Sequence, residues 1–271
     1  MEKAIGVIDS GVGGLTVAHE LMRQLPKEKL IYLGDTLRCP YGSRPQEEVR
    51  SFTWEMVEFL LEKEIKMLVV ACNTATAFAL EELQQRLNFP VIGVIQPGAR
   101  AAINFTHNNH VGVIGTEGTI HSHAYTNALK SIHAGIQVNA LACPLFVPLV
   151  EKGILHGEQA EMVVKEMLYP MKKSNHIDTL ILGCTHYPLL RETIQKIIGN
   201  HVTIISSSEE TAREASTILE FNHLLQNSEE TPQHQFYATG KLDIFSRIAK
   251  NIFSEPVNNF KTVTIEKAVI C

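Results

Sequence analysis

The sequence lacks the features that place a protein in a membrane or on a nucleic acid. Its 271 residues include no apolar run of about 20 residues, the length that a membrane-spanning helix needs. The net charge is −5, and the Lys and Arg residues are scattered along the chain, which argues against nucleic acids and anionic membranes as partners. A small molecule is therefore the expected partner.

Cysteines are few, and their spacing suits neither disulfides nor zinc. The chain has five, an odd number with no C-x-x-C pair: Cys39, Cys72, Cys143, Cys184 and Cys271. The N-terminal residues do not have the layout of a secretion signal. A zinc site formed by several cysteines with His186 is an alternative, although Cys184-Thr-His186 departs from the usual zinc spacings. We expect reduced thiols in a cytoplasmic protein, and no metal.

Short apolar runs alternate with amphipathic stretches, a pattern typical of parallel sheets covered by helices. Eight of these runs are predicted to be buried strands, over residues 4–8, 30–33, 67–71, 91–95, 111–114, 138–142, 179–182 and 202–205. A capping box at Ser207–Glu210 is predicted to open a helix that ends near Leu225. After a polar loop over 226–233, we predict a strand over 236–239, a helix over 244–253 and a strand over 262–265.

The chain also resembles itself at a spacing of about 110 residues. Ile5-Gly-Val-Ile-Asp9 matches Val111-Gly-Val-Ile-Gly115, and Cys72 matches Cys184. Because several such matches occur in the same order, we predict two copies of one α/β unit.

The predicted fold is α/β, with two similar doubly wound, mostly parallel-sheet domains that face each other across a cleft. The first domain is predicted over residues 1–96 plus 207–271, so that the C-terminal segment returns to it. The second is predicted over 97–206, and the break is placed at Gln96-Pro97-Gly98.

Cys72 and Cys184 each follow a predicted strand and precede a helical pattern. Ligands of open α/β sheets bind outside the carboxyl ends of the strands, so both thiols are expected in one cleft, together with Asp9 and Thr116. A helix N-terminus favours a thiolate. Two thiols that face each other are candidate bases. One removes a proton from one face of a carbon, and the other returns a proton to the opposite face. Either cysteine taken alone is equally well explained as a buried packing residue.

Polar neighbours could move protons to and from these thiols. His186 could serve Cys184, and Asp9 could serve Cys72 or simply cap a helix. The glycines at 11, 13 and 14 do not form a dinucleotide motif, because Thr16 stands where that motif requires a further glycine. They are predicted to bring backbone N–H groups close to a small anion such as a carboxylate, or to form a tight turn only.

Five motifs occur in a specific order: Asp9-Ser-Gly-Val-Gly-Gly-Leu-Thr16, Pro40-Tyr-Gly-Ser43, Ala71-Cys-Asn-Thr-Ala-Thr76, Gly115-Thr116 with Thr119, and Leu182-Gly-Cys-Thr-His-Tyr-Pro188. In this order they resemble the motifs of the glutamate racemases, which belong to the aspartate/glutamate racemase group. The resemblance extends to about Arg213 and is loose beyond it.

The resemblance implies an activity and a set of site residues. Similar enzymes interconvert L- and D-glutamate with two bases and no cofactor, supplying D-glutamate for peptidoglycan. By resemblance, Cys72 takes the α-proton from D-glutamate and Cys184 takes it from L-glutamate. Asp9, His186 and Glu151 match residues that assist these transfers. The positions that hold the substrate's carboxylates and ammonium are Ser10, Pro40, Tyr41, Gly42, Asn73, Thr74, Thr116, Thr119 and Thr185.

Several alternatives stay open at the level of sequence. The substrate could be aspartate or another acidic amino acid, because residue spacing does not reveal the depth of a pocket. The chain could also be a Cys-His amidohydrolase, which would leave one thiol unused, or a binding protein without catalysis. We expect a homodimer. Cys39 and Cys143 are interpreted as packing or supporting residues, and Cys271 as an inert chain end.

Overall fold

The computed structural model describes residues 3–174, 176–227, 230–253 and 259–265. The strands are β1 Ala4–Asp9, β2 Leu30–Gly34, β3 Ile65–Val70, β4 Val91–Gly93, β5 His110–Gly115, β6 Gln137–Ala142, β7 Thr179–Gly183, β8 Thr203–Ser206, β9 Gln235–Ala238 and β10 Phe260–Thr262. The α-helices are α1 Leu15–Gln24, α2 Gln46–Leu61, α3 Asn73–Arg86, α4 Ile95–Phe105, α5 Glu117–His121, α6 Ala124–Ile132, α7 Phe146–Glu151, α8 Glu158–Ser174, α9 Arg191–Ile198, α10 Ser207–Phe221 and α11 Leu242–Ile252. A 3₁₀ helix covers Tyr187–Leu190.

Two parallel sheets carry the fold. The first has the strand order β10-β9-β2-β1-β3-β4, and the second has the order β6-β5-β7-β8. The four-strand part β2-β1-β3-β4 therefore repeats the order of the whole second sheet, as the internal similarity predicted. β9 pairs with β2, so the C-terminal segment returns to the first sheet. The predicted fold class is confirmed.

The central strands are apolar because helices cover both faces of each sheet. Every residue of β1 and of β7 is buried. One continuous apolar cluster includes Val69 of the first sheet and Leu182 of the second, and α10 packs against both α1 and α4. The two sheets are therefore held together by shared packing as well as by the chain.

The predicted break at residues 96–98 lies inside a helix. Gln96, Pro97 and Gly98 belong to the first turn of α4, where a proline is tolerated because the backbone N–H groups of that turn have no partner within the helix. α4 packs against α6, α10 and β7. The Pro-Gly pair thus starts a helix here rather than forming a linker. The division into domains at this point stays a prediction.

Three boundaries in the C-terminal part differ from the sequence prediction. The N-cap of α10 is Ser206 and makes no side-chain capping bond, so the predicted capping box is wrong. α10 ends at Phe221 rather than near residue 225. β10 is shifted towards the N-terminus, because the ring of Phe260 packs against Phe236 and Phe245 at centroid distances of 5.6 and 5.1 Å.

Two other expectations concern residues that the structure does not describe. Cys271 and part of the loop over 226–233 lie outside the described residues. Among the helices of the described chain, none is both long enough and apolar enough to cross a membrane.

Candidate active site

A small closed pocket lies between the carboxyl ends of the two sheets. It leaves about 20 Å³ for the centre of a water molecule, which is room for about one water and too little for an amino acid. A substrate therefore enters only when the walls move apart. The lining residues are Ser10, Cys39, Pro40, Tyr41, Gly42, Cys72, Asn73, Thr74, Thr116, Val147, Cys184, Thr185 and His186.

Most of the residues singled out from the sequence line this pocket. Three do not: Asp9, Thr119 and Glu151 lie behind the lining and contact residues that belong to it. Cys39, interpreted from the sequence as a packing or supporting residue, is part of the wall.

Cys72 is the N-cap of α3, as its position between a strand and a helical pattern suggested. Its sulfur accepts a hydrogen bond of 3.4 Å from the backbone N–H of Ala75. Burial, together with the negative charge of Asp9, raises the pKa of this thiol to about 12, although hydrogen bonds from Ser10 and Ala75 oppose the rise. In the closed site Cys72 is therefore a neutral thiol at neutral pH.

Cys184 occupies the equivalent place after β7 but not an equivalent helix end. A 3₁₀ helix with Pro188 in its first turn follows, and α9 starts only at Arg191. The expectation that both thiols lie at an α-helix N-terminus is therefore wrong for Cys184. Its polar partner is His186, whose Nδ1 lies 3.8 Å from the sulfur.

His186 is a buried, charged neighbour of Cys184. Burial by itself lowers the pKa of this imidazole, but interactions with the neighbouring Cys184 sulfur and Glu151 carboxylate, together with nearby negative charges, outweigh it and raise the pKa to about 10. The Nε2 atom lies 3.6 Å from Glu151 Oε1. The ion pair with His186 in turn holds the pKa of Glu151 below its ordinary value, despite partial burial. A protonated His186 is placed to stabilise negative charge on the Cys184 sulfur.

Asp9 closes β1 and is completely buried. Its Oδ2 accepts a hydrogen bond of 2.9 Å from the Gly11 N–H, and its Oδ1 accepts one of 3.3 Å from the Thr185 hydroxyl. The sequence predicted that the glycine turn either brings N–H groups close to a small anion or forms a tight turn only. One N–H of that turn is instead used by the chain's own carboxylate.

The glycines of this turn permit close approach between the two halves of the site. A Cβ on Gly13 would lie 2.4 Å from Thr185 Oγ1 and 2.5 Å from His186 Nδ1, and one on Gly14 would lie 2.5 Å from the Asp9 Cβ. Real side chains do not approach so closely. The turn can therefore contact the Cys184 loop only because position 13 lacks a side chain, and it can pack on Asp9 only because position 14 lacks one.

Three hydroxyl groups join the two halves on the opposite side of the pocket. Thr74 Oγ1, from the start of α3, lies 2.9 Å from Thr116 Oγ1 and 3.1 Å from Thr119 Oγ1. Thr116 and Thr119 are themselves 3.0 Å apart. We call these three residues the threonine cluster. Next to it, the Gly118 N–H donates a hydrogen bond of 2.7 Å to the Gly42 carbonyl.

Asn73 presents an unused donor. Its Oδ1 accepts a hydrogen bond of 2.7 Å from the Tyr125 hydroxyl, which fixes the orientation of the amide. Its Nδ2 is buried and has no hydrogen-bond partner among the described residues. A buried donor without a partner is unfavourable, so a ligand oxygen at this point would be stabilised.

The residues that support the pocket walls are not indicated by any sequence motif. Tyr125 was not singled out, and neither was the group that holds Tyr41. The Tyr41 hydroxyl donates a hydrogen bond of 2.5 Å to Asp35 Oδ2, and Arg38 pairs with both Asp35 and Glu55. Isolated charged residues in an ordinary sequence give no signal for such a network, because its members become neighbours only in the fold.

The chain is similar to proteins described as racemases. The family model described as Asp/Glu/Hydantoin racemase matches residues 5–215. A glutamate racemase from Oceanobacillus iheyensis is 66% identical over 270 residues, covering 100% of this chain and 98% of that relative.

Two solved structures have the same fold. A glutamate racemase isoform from Bacillus anthracis has a TM-score of 0.91 at 49% identity and covers 97% of this chain and 98% of its own. A glutamate racemase from Francisella tularensis, solved in complex with D-glutamate, has a TM-score of 0.92 at 35% identity and covers 98% and 99%.

Proposed function

The chain belongs to the Asp/Glu/Hydantoin racemase family, and we propose that it interconverts L-glutamate and D-glutamate with two cysteine bases and no cofactor. It is an isomerase acting on an amino acid. The D-glutamate that it forms would serve peptidoglycan synthesis, as the sequence resemblance implies.

One observation carries the assignment of the bases. Cys72 and Cys184 follow equivalent strands of two equivalently ordered sheets, and both line the same closed pocket. They are close enough that charge on Cys184 raises the pKa of Cys72. A carbon held between them would have one thiol on each face, which is what exchange of configuration by proton removal and return requires.

Each thiol has its own route for protons. On one side, Cys184 would take the α-proton of L-glutamate as a thiolate stabilised by protonated His186, and Glu151 would hold that imidazole in place. On the other side, Cys72 would give its proton to the opposite face of the α-carbon. In the reverse direction Cys72 takes the α-proton of D-glutamate, and Asp9 influences its proton affinity through charge.

The α-proton of an amino acid is weakly acidic, so the site must stabilise negative charge that develops near the α-carbon. Candidate donors are the Asn73 amide, whose Nδ2 has no protein partner among the described residues, and the hydroxyl groups of Ser10 and Thr74. Thr185, whose hydroxyl donates to Asp9, would line the substrate site and keep Asp9 in place. Closure of the pocket removes water and strengthens these interactions. Pro40, Tyr41, Gly42, Thr116 and Thr119 would complete the substrate site by shaping its wall.

Proton exchange during turnover tests the function directly. Purified protein is incubated with L-glutamate or D-glutamate in D₂O, and circular dichroism and the α-proton signal are followed together. We expect optical activity to decay from either enantiomer as deuterium enters at the α-carbon. Aspartate in parallel serves as the matched control for side-chain length. Retention of optical activity with both glutamate enantiomers would refute the proposal.

Assembly and cell compartment form a separate part of the proposal. We propose a homodimer, in which the exposed side chain of Phe221 at the end of α10 is a candidate contact. Light scattering of the purified protein measures its mass in solution.

A cytoplasmic location is supported by the chemistry, because the four described cysteines are free and two of them must stay reduced to act as bases.

A further inference from the structure

Cys39, Glu151 and His186 bring three metal-ligating groups together behind Cys184. Their ligand atoms all lie within 4.8 Å of one another. The Cys39 thiol donates a hydrogen bond of 3.3 Å to Glu151 Oε1, and His186 Nε2 lies 3.6 Å from the same oxygen. With metal–ligand bonds of about 2.0–2.3 Å, neighbouring ligands of a tetrahedral zinc ion lie roughly 3.3–3.7 Å apart. Two of the three pair distances therefore match a shared ion already, and the third, between Cys39 Sγ and His186 Nε2, is at most 4.8 Å and would need to shorten by up to about 1 Å.

A second observation points to a ligand at this place. His186 is 2% exposed, and its Nε2 has no hydrogen-bond partner among the described residues, since the contact with Glu151 is longer than a hydrogen bond. Its other nitrogen faces the Cys184 sulfur at 3.8 Å. Metal-binding histidines use one ring nitrogen for the ion while the other is held by a neighbouring group. His186 already has this arrangement: Nδ1 faces the Cys184 sulfur, and Nε2 faces Glu151 and can bind an ion once it loses its proton.

We propose that Cys39, Glu151 and His186 form an inhibitory site for a borderline-soft divalent cation such as Zn²⁺. One sulfur, one oxygen and one nitrogen suit zinc better than Mg²⁺ or Ca²⁺, which prefer oxygen alone. Binding releases the thiol proton of Cys39 and the proton of the His186 ring to solvent, and water supplies the fourth ligand. The Glu151 side chain is 30% exposed, so an ion can reach the site from that side while the pocket is closed.

Two consequences follow for activity, and they rest on the proposed function. His186 coordinated to a metal is no longer available as the proton partner of Cys184. The ion also bridges the first half of the site, which carries Cys39, and the second half, which carries Glu151 and His186. Since the closed pocket does not admit an amino acid, such a bridge keeps substrate out. Metal binding itself does not depend on the proposed function.

Binding is tested without substrate. Protein freed of metal with a chelator is titrated with Zn²⁺ by calorimetry and with Co²⁺ by absorption, since a cobalt–thiolate bond gives a charge-transfer band in the near ultraviolet. We expect one ion per chain and a thiolate band in the wild type. Substituting a residue that only hydrogen-bonds to a metal ligand weakens metal binding about 10- to 100-fold. Cys39→Ser and Glu151→Gln change the ligands themselves, so each should weaken metal binding at least as much.

Matched variants separate this site from the catalytic thiols. Cys143→Ser removes another buried cysteine outside the cluster, and Cys72→Ser removes a lining thiol outside it. Both should keep the cobalt band at near wild-type affinity. The proposal is overturned if the wild type binds no Zn²⁺ at micromolar concentration, or if Cys39→Ser keeps the band while Cys72→Ser or Cys184→Ser loses it.

A measurement on the unmodified chain covers the case in which a variant does not fold. Alkylation followed by mass spectrometry should show Cys39 protected by Zn²⁺ and unprotected after chelation. Protection of Cys72 or Cys184 without protection of Cys39 would contradict the assignment. In a racemisation assay, Zn²⁺ should reduce turnover at least about tenfold and the chelator should restore it, as loss of a proton-transfer partner predicts. Ion binding without loss of turnover would overturn the inhibitory role and leave racemisation intact.

Discussion

The Thr185 hydroxyl donates a hydrogen bond of 3.3 Å to Asp9 Oδ1 and so connects the end of β1 with the residue that follows Cys184. Sequence reasoning assigned Asp9 to Cys72 alone. Its charge does raise the pKa of Cys72, yet it also helps to raise the pKa of His186, the neighbour of Cys184. One buried carboxylate therefore influences the proton affinity of both sides of the site.

Replacing either thiol with a hydroxyl should remove racemisation. General acid–base groups contribute about 10²- to 10⁴-fold to rate, so Cys72→Ser and Cys184→Ser should each lower kcat by at least that range. Circular dichroism with each enantiomer measures the loss. Cys143→Ser is the control, because this thiol is buried outside the pocket lining and should leave turnover close to wild type. Near-normal turnover in either lining variant would contradict the two-base assignment.

A methyl group at position 13 should disturb the site directly. In Gly13→Ala the added Cβ would lie about 2.4 Å from Thr185 Oγ1, so the Cys184 loop must move. Because a misplacement of about 1 Å can cost about 10²-fold in rate, we expect a loss of that size in kcat/KM. Gly135→Ala is the control, since its Cβ would meet only the exposed His133 ring. Equal activity of the two variants would mean that the close approach has no role.

The threonine cluster should contribute to both stability and substrate binding. Thr116→Val removes hydrogen bonds to Thr74 and Thr119, and each is worth about 1 kcal/mol in net free energy of unfolding. If Thr116 also binds a substrate carboxylate, KM should rise roughly tenfold, equivalent to about 1.4 kcal/mol. Urea unfolding and steady-state kinetics measure the two effects. Thr217→Val removes only a solvent-exposed hydrogen bond to the Arg213 carbonyl, so it should leave KM unchanged and change stability by less than about 0.5 kcal/mol. A fall in stability of Thr116→Val with unchanged KM would limit the cluster to a structural role.

The charged group behind Tyr41 should be important for stability. Asp35 and Glu55 are 0% and 5% exposed, and Arg38 pairs with both. Breaking a buried pair leaves uncompensated charge, so Arg38→Met should lower the free energy of unfolding by about 3–5 kcal/mol. Arg23→Met breaks the exposed pair with Glu20 and should cost less than about 1 kcal/mol. Equal urea midpoints for the two variants would exclude a special role for the buried network.

Alkaline pH should weaken the fold through His186. Its pKa is raised from 6.5 to about 10 in the folded chain, so the folded state holds this proton more tightly than the unfolded state does. The resulting stabilisation is complete below about pH 6.5 and is lost as the pH rises towards 10. The stability difference between wild type and His186→Asn, measured by urea unfolding, should therefore shrink over this range. The exposed His133→Gln is the control, and a difference that grew with pH would contradict the buried ion pair.

Much of the fold was predictable from local pattern. The apolar runs gave the strands to within a few residues, because a strand buried on both faces needs a continuous apolar segment. The internal similarity predicted the shared strand order of the two sheets. Helix ends were less predictable: Pro97 and Gly98 indicated a break but lie in the first turn of α4, because the packing of that helix decides the outcome.

The sequence by itself determined which chemistry was available: two thiols after equivalent strands, with Asp9 and His186 close to them. Only the tertiary structure decided which groups became partners. The Cys39–Glu151 contact joins residues 112 positions apart, and the Asp9–Thr185 bond joins residues 176 positions apart. The physical reason is that local pattern fixes which residues follow a strand, whereas long-range packing fixes which strand ends face each other and therefore which charges act on each thiol.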